Sequence, residues 1–306
     1  MESRQAPATA GYESPQERRI SVAGGGELAV YEWGPADGQP LLLVHATGFH
    51  GRCWDQVVAA LPPGFRVLAF DMRGHGRSSK PGSYGWDEFG ADLIELVDAR
   101  ELRGAVVAGH SMGGHCVVQL AAARPEVCAR VLLIDPVIFD PEAYPTNRHR
   151  MYESVADHPV ARRRARWESW EAMRDSLISK GAYGLWEPAV FEDYCRYGSL
   201  PTEGGVELAC PPEVEASVYL GNTETDVHAL VKQVQAPTLV LRAPPRNPDE
   251  PAVLDFSRSP TWPELAAALP QGQDILLEHL THFIPMQAPA LVAGYLVEAL
   301  RQQAAA

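Results

Sequence analysis

Apolar residues along this chain fall into short runs separated by longer amphipathic stretches. Leu28 to Trp33, Leu41 to His45 and Val67 to Asp71 read as strands. Ala105 to Gly109, Val131 to Asp135, Thr238 to Arg242 and Asp274 to Leu277 follow. Within them, Leu41 to Val44, Ala105 to Ala108 and Val131 to Ile134 are apolar at every position. A strand covered on both faces needs no polar alternation, so these runs predict parallel strands inside a sheet. Helical periodicity marks Trp54 to Leu61, Trp86 to Leu102, Met112 to Ala123, Trp262 to Leu269 and Pro289 to Ala299. Strand–helix alternation of this kind predicts a doubly wound, mostly parallel α/β sheet.

One region departs from the alternation. From Val137 to Leu230 no strand-like run stands out, and Trp, Tyr and Arg are frequent. The segment reads as helices joined by Pro/Gly turns, with Arg162 to Met173 the clearest, and so as a helical insertion. The expected division is an N-terminal arm (1–19), an α/β core (20–136 and 231–306) and a helical cap (137–230). The basic run Arg162-Arg163-Arg164 reads as a solvated helix face, with an anion site as the alternative.

Composition narrows the partners. Of 306 residues, 46% are hydrophobic, enough for a core that needs no metal or disulfide. The net charge of −13 argues against nucleic acid and against anionic lipid as partners; it does not define a substrate, and the oligomeric state stays open. Cys53, Cys116, Cys128, Cys195 and Cys210 are widely spaced and form no C-x-x-C pair. Reduced thiols are expected, with no metal and no cofactor. The first residues lack the apolar segment of a secretory signal, and no apolar run reaches the roughly 18 residues that would span a membrane. A cytoplasmic location is the expectation.

Chemistry enters at Ala105 to Gly113, which reads AVVAGHSMG and continues into an apolar helical run. An apolar strand, then G-x-S-x-G, then a helix is the setting of a nucleophile elbow, with Ser111 at its apex. Side chains at Gly109 and Gly113 would clash with neighbouring backbone in so sharp a turn. The helix starting near Met112 would present its N-terminal amides to developing negative charge.

The chain resembles the α/β-hydrolase superfamily, and in particular its cap-bearing serine ester-hydrolase-like members, from about Ser21 to Ala299. HATGFHGRCW (His45 to Trp54) is similar to that family's H-G-x-x-G oxyanion loop, FDMRGHGRSS (Phe70 to Ser79) to its D-x-R-G-x-G-x-S segment, and THFIPMQAP (Thr281 to Pro289) to its terminal G-H-F loop. Two departures stand out: Ala46 replaces the glycine after His45, and Thr281 replaces the glycine before His282. The resemblance implies Ser111 as nucleophile, His282 as general base, and the backbone amides of Met112 and Thr47 as oxyanion donors. His45 is expected to organise the oxyanion loop, Trp54 to pack beneath it, and His75, His110 and His115 to be structural.

The third triad member is less plainly marked. The family usually carries its acid just past the strand that here reads Thr238 to Arg242, where this chain has Ala243-Pro244-Pro245-Arg246. Counting back from Leu269-Pro270 by the family's spacing favours Asp255. Asp249 and Glu250 compete nearby, and Asp135 or Asp140 after the preceding strand is the placement some relatives use. The implied activity is cleavage of a carboxylic ester, lactone or thioester of a small to medium apolar substrate. The alternatives are a small-molecule receptor with slow hydrolysis or a carbon–carbon bond hydrolase.

Overall fold

The computed structural model describes residues 12–24, 26–144, 152–221, 225–246 and 255–304. The chain begins with strands β1 (Gln16–Val22), β2 (Gly26–Trp33) and β3 (Gln39–Val44), then helix α1 (Asp55–Ala59) and β4 (Phe65–Phe70). Helix α2 (Trp86–Ala99), β5 (Ala105–His110), α3 (Met112–Ala123) and β6 (Cys128–Ile134) follow. Next come β7 (Arg166–Trp167), α4 (Trp170–Leu177), α5 (Pro188–Tyr197), β8 (Ser199–Thr202), β9 (Gly205–Leu208), α6 (Pro212–Gly221) and α7 (His228–Val231). The chain closes through β10 (Thr238–Arg242), α8 (Leu265–Ala268), β11 (Gly272–Leu276), α9 (Ile284–Gln287) and α10 (Pro289–Ala304). Eight strands form one sheet in the order β1-β2-β4-β3-β5-β6-β10-β11, parallel from β4 to β11, with β1 and β2 antiparallel at one edge. This is the α/β-hydrolase fold.

The all-apolar strands are central because both faces are covered. Leu42, Val44 and Val107 pack with Trp86, Phe89 and Leu93 of α2 and with α3. Their alternating neighbours Leu41, Leu43 and Val106 pack with Trp54, Val57 and, from α10, Leu296. Parallel strands β5 and β6 therefore end side by side, and their carboxyl ends deliver Ser111 and Asp135 to one crevice edge.

The pattern misses some elements. Residues 16–19, read as part of a loose arm, belong to β1, and Tyr12 ahead of it hydrogen-bonds Pro62 O and receives the Phe65 amide. Only Val22 of β1 is buried, so this edge strand is held by backbone pairing and carries no hydrophobic signature. Residues 1–11 lie outside the described ones.

Between β6 and β10 the chain leaves the main sheet, yet it is not purely helical: β7, β9 and β8 form a small antiparallel sheet. The expected helix from Arg162 to Met173 is corrected as well. Residues 162–167 alternate between exposed and inward positions, a strand period, and lead from a single 3₁₀ turn (Pro159–Arg162) into β7. Helix α4 starts only at Trp170, capped by Ser169 Oγ, which accepts the Ala172 amide at 3.2 Å. The insert's own core gathers Trp167, Met173, Trp186, Phe191 and Tyr194, and it closes onto Phe49 and Phe283 of the sheet domain.

Candidate active site

Ser111 sits between β5 and α3 with φ +57° and ψ −120°, a conformation costing an ordinary residue about 1–3 kcal/mol. The neighbouring glycines explain how the turn closes. A Cβ on Gly109 would meet the carbonyl oxygen of Gly113, and one on Gly113 would meet the carbonyls of Val44 and His45. Two backbones thus approach closely enough to exclude a methyl group, and the serine is turned toward the cavity above the sheet. Because α3 begins at Met112, the Met112 amide has no partner inside the helix.

His282 lies in the loop before α9. Its Nδ1–H donates to Asp135 Oδ2 at 2.6 Å, and its Nε2 accepts from Ser111 Oγ at 2.9 Å. All three side chains are buried, Asp135 completely. The second carboxylate oxygen of Asp135 is also occupied, by the Ala243 amide at 2.9 Å and Ser259 Oγ at 2.6 Å. Asp135 itself takes φ +44°, and its amide donates to Leu241 O at 2.7 Å. These contacts leave the carboxylate one orientation.

The geometry therefore corrects the acid favoured by spacing. Asp255 makes no hydrogen bond to the histidine: its carboxylate accepts from the Ser257 amide at 2.8 Å and Ser257 Oγ at 2.9 Å, and these bonds, led by the amide, hold it below the usual carboxylate range. Its neighbour contributes backbone instead, as Phe256 O accepts the His282 amide. The end of β10, where spacing placed the acid, supplies Ala243 N–H to Asp135. Asp140 accepts the amide of Glu142 in a short turn. Asp249 and Glu250 lie outside the described residues.

The loop after β3 is fixed by histidines. Burial pushes His75 down to about 4 and holds His45 and His110 below the ordinary imidazole range, so all three are neutral near pH 7. His75 Nε2 accepts the Gly48 amide at 3.0 Å while Nδ1–H donates to Arg73 O at 2.9 Å. His45 accepts the Met72 amide at 2.9 Å and donates to Ala46 O at 2.7 Å. The left-handed conformation of this loop falls on Gly48, with φ +78°, and not on Ala46, so the methyl group there is unstrained. Thr47 Oγ1 reaches Met112 Sδ at 3.4 Å, bringing the two expected oxyanion residues together. Neither amide has an acceptor among the described residues. His110 bonds His282 O at 2.7 Å, and His115 bonds Thr225 O at 3.2 Å. Thr281 closes the terminal loop, its amide and hydroxyl both donating to Gln287 Oε1 at 2.8 Å.

Ser111 and His282 open on a cavity of about 160 Å³ whose ceiling includes Tyr183, Trp186 and Tyr194 from the insert. Arg163 and Glu215 stand in the same wall, and no sequence signal paired them. A smaller space of about 60 Å³ meets the same serine and histidine from the side of Phe139, Arg246 and Arg258, with Tyr219 and Phe256 between the two.

A sheet of this topology, with a buried serine–histidine pair at its strand ends, defines a class of fold, and comparison with known proteins gives the family. Residues 41–294 match the model of the alpha/beta hydrolase family, and the chain belongs to it. It is 38% identical over 121 residues to a non-heme chloroperoxidase of Streptomyces lividans, a stretch covering 39% of this chain and 44% of that protein. The chain thus matches less than half the length of that relative. A thermophilic esterase of Thermogutta terrifontis, solved with malate bound, is 27% identical, with a TM-score of 0.65 over 94% of this chain and 99% of that one. An E-2-(acetamidomethylene)succinate hydrolase gives a TM-score of 0.74 over 94% and 99% at 20% identity, a likeness of fold.

Proposed function

We propose that this chain is a serine hydrolase cleaving a carboxylic ester, lactone or thioester through an acyl-enzyme on Ser111. The observation that carries the reading is the continuous hydrogen-bond chain Asp135–His282–Ser111, at 2.6 and 2.9 Å. Asp135 fixes the tautomer that leaves Nε2 free to take the serine proton, and it stabilises the imidazolium that results. Ser111 Oγ attacks the carbonyl carbon. The tetrahedral oxyanion is received by the amides of Met112 and Thr47. Collapse expels the alcohol or thiol, which takes the proton from His282. Water, deprotonated by His282, then attacks the acyl-enzyme and releases the acid and the free serine. The segment 137–230 acts as a cap that shapes the acyl pocket. The similarity to an esterase over nearly the whole chain supports this class.

A second reading shares the first half of the cycle. The likeness to a bifunctional esterase/perhydrolase of Acinetobacter calcoaceticus, 33% identical over 121 residues, favours hydrogen peroxide replacing water in the second half, releasing a peracid. The test of both is hydrolysis of a panel of chromogenic esters, lactones and thioesters, with and without peroxide. Ser111→Ala is expected to lower turnover on the order of 10⁴- to 10⁶-fold while circular dichroism stays unchanged. Undiminished turnover in a folded Ser111→Ala protein would contradict both readings. A single turnover followed by a stall would support a receptor instead.

A further inference from the structure

Among the aromatic residues of the cavity wall stands one ion pair. Arg163 Nη1 donates to Glu215 Oε2 at 2.7 Å, and Nη2 donates to the Tyr194 hydroxyl at 3.1 Å. The Tyr194 and Tyr183 hydroxyls are 3.5 Å apart, extending the polar strip. Glu215 is 4% exposed, and the Arg163 side chain 24%. The Glu215 carboxylate lies against the oxyanion loop, where a Cβ on Gly48 would meet its Oε1 at 2.5 Å. Gly48 is therefore required twice over, by its positive φ and by this approach.

Stability does not explain the pair. Replacing a buried ion pair by apolar side chains of similar volume is often neutral or stabilising. The pair is also incompletely satisfied by the protein. Among the described residues, Glu215 Oε1 receives no hydrogen bond, and the guanidinium makes only the two named. An acceptor and spare donors thus stand side by side in the wall of the cavity that holds Ser111.

We propose that Arg163 and Glu215 determine specificity by hydrogen-bonding a neutral group of the acyl moiety that both donates and accepts, namely a hydroxyl or an amide. This deepens the serine hydrolase reading and rests on it. Charge balance selects the class. The pair sums to zero, so a substrate carboxylate would leave a net negative charge in the cavity, and an ammonium a net positive one. Either is costly where water is scarce. A plain alkyl chain would leave both groups unpaired and covered, which is the condition under which a polar pocket discriminates best against an apolar analogue.

The experiment compares kcat/KM for p-nitrophenyl esters of graded chain length, each with a terminal methyl, hydroxyl, acetamido or carboxylate group. At one chain length the hydroxyl or acetamido ester should exceed its methyl counterpart by about 10- to 100-fold, as expected for hydrogen bonds to charged groups. The carboxylate ester should gain nothing. The Arg163→Met/Glu215→Leu double variant, which stays neutral, should bring the ratio close to one. Glu215→Gln, which leaves the cation unbalanced, should move the preference toward the carboxylate ester. Equal rates across the end groups with the unaltered protein, while turnover still depends on Ser111, would overturn this inference and leave the hydrolase reading standing. A carboxylate preference in the unaltered protein would likewise overturn it. Absence of any Ser111-dependent turnover would remove both.

Discussion

The two halves of the cavity are built on different principles. Below, at the carboxyl ends of β5 and β6, the three site residues are each held by contacts with backbone. Ser111 is set by the closeness of Gly109 and Gly113 to neighbouring chains, Asp135 by the Ala243 amide, and His282 by Phe256 O. Above, the insert supplies side chains: Trp186 and Tyr194 meet the Phe49 ring edge-on, and Arg163 pairs with Glu215. A floor held by backbone tolerates few substitutions and carries the chemistry. A ceiling held by side chains can vary residue by residue without disturbing the floor, which suits it to substrate choice.

The comparison would break first at the floor. Replacing Asp135 with Asn should lower kcat by roughly 10³- to 10⁴-fold with little change in KM, because His282 would lose its tautomer control. Asp255→Asn, measured beside it, should stay near the wild-type rate, since that carboxylate is bonded to Ser257 and not to His282. The reverse outcome would move the acid to the loop after β10.

Two tryptophans of the insert sharpen the contrast. Trp186 lines the cavity, whereas Trp167 is turned into the insert's core and donates to Ser176 Oγ at 2.8 Å. Trp167→Ala should cost about 3–5 kcal/mol of stability, read by denaturant melts, with relative rates among acyl chains preserved. Trp186→Ala should instead shift those relative rates by about tenfold toward longer acyl chains, consistent with methylene-scale discrimination in apolar pockets. Selectivity that follows Trp167 and ignores Trp186 would refute the assignment of the ceiling.

The smallest expected effect lies at the seam. Asp193 of α5 accepts from Gln56 Nε2 of α1 at 2.7 Å, and burial, followed by the nearby Asp55 charge, pushes its carboxyl up to about 7. A raised carboxyl pKa means that the folded state holds the proton more tightly than the unfolded one. Stability is therefore lost as pH rises from the unfolded carboxylate range, about 4, to about 7; above 7 the loss is constant, and below the unfolded range there is none. Asp193→Asn removes that titration. The variant should melt a few degrees above the wild type at pH 8 and nearly level with it at pH 4. An equal difference at both pH values would show that Asp193 acts through packing alone.

The contrast between floor and ceiling also explains what could be read from the residues beforehand. Runs such as Leu41 to Val44 announce parallel strands because both faces are apolar, and the elbow announces itself because its glycines are demanded by backbone contact. Spacing favours Asp255 over Asp135 because it follows the chain, whereas the hydrogen bond to His282 follows the neighbouring strand ends of β6 and β10. Strand β1 left no apolar trace because it is held by its backbone at an exposed edge. The strand period of residues 162–167 was hidden by arginines, whose long stems read as polar whichever way they point. Arg163 and Glu215 lie 52 positions apart and meet only in the folded insert.

The proposed hydrolysis requires Ser111, and no other residue, to be the nucleophile. The most direct measurement is the mass of the intact protein after exposure to a fluorophosphonate, followed by peptide mapping. A single adduct on the peptide containing Ser111, absent from Ser111→Ala and formed far more slowly in Asp135→Asn, is the predicted result. Labelling at another residue, or undiminished labelling of Ser111→Ala, would contradict the account.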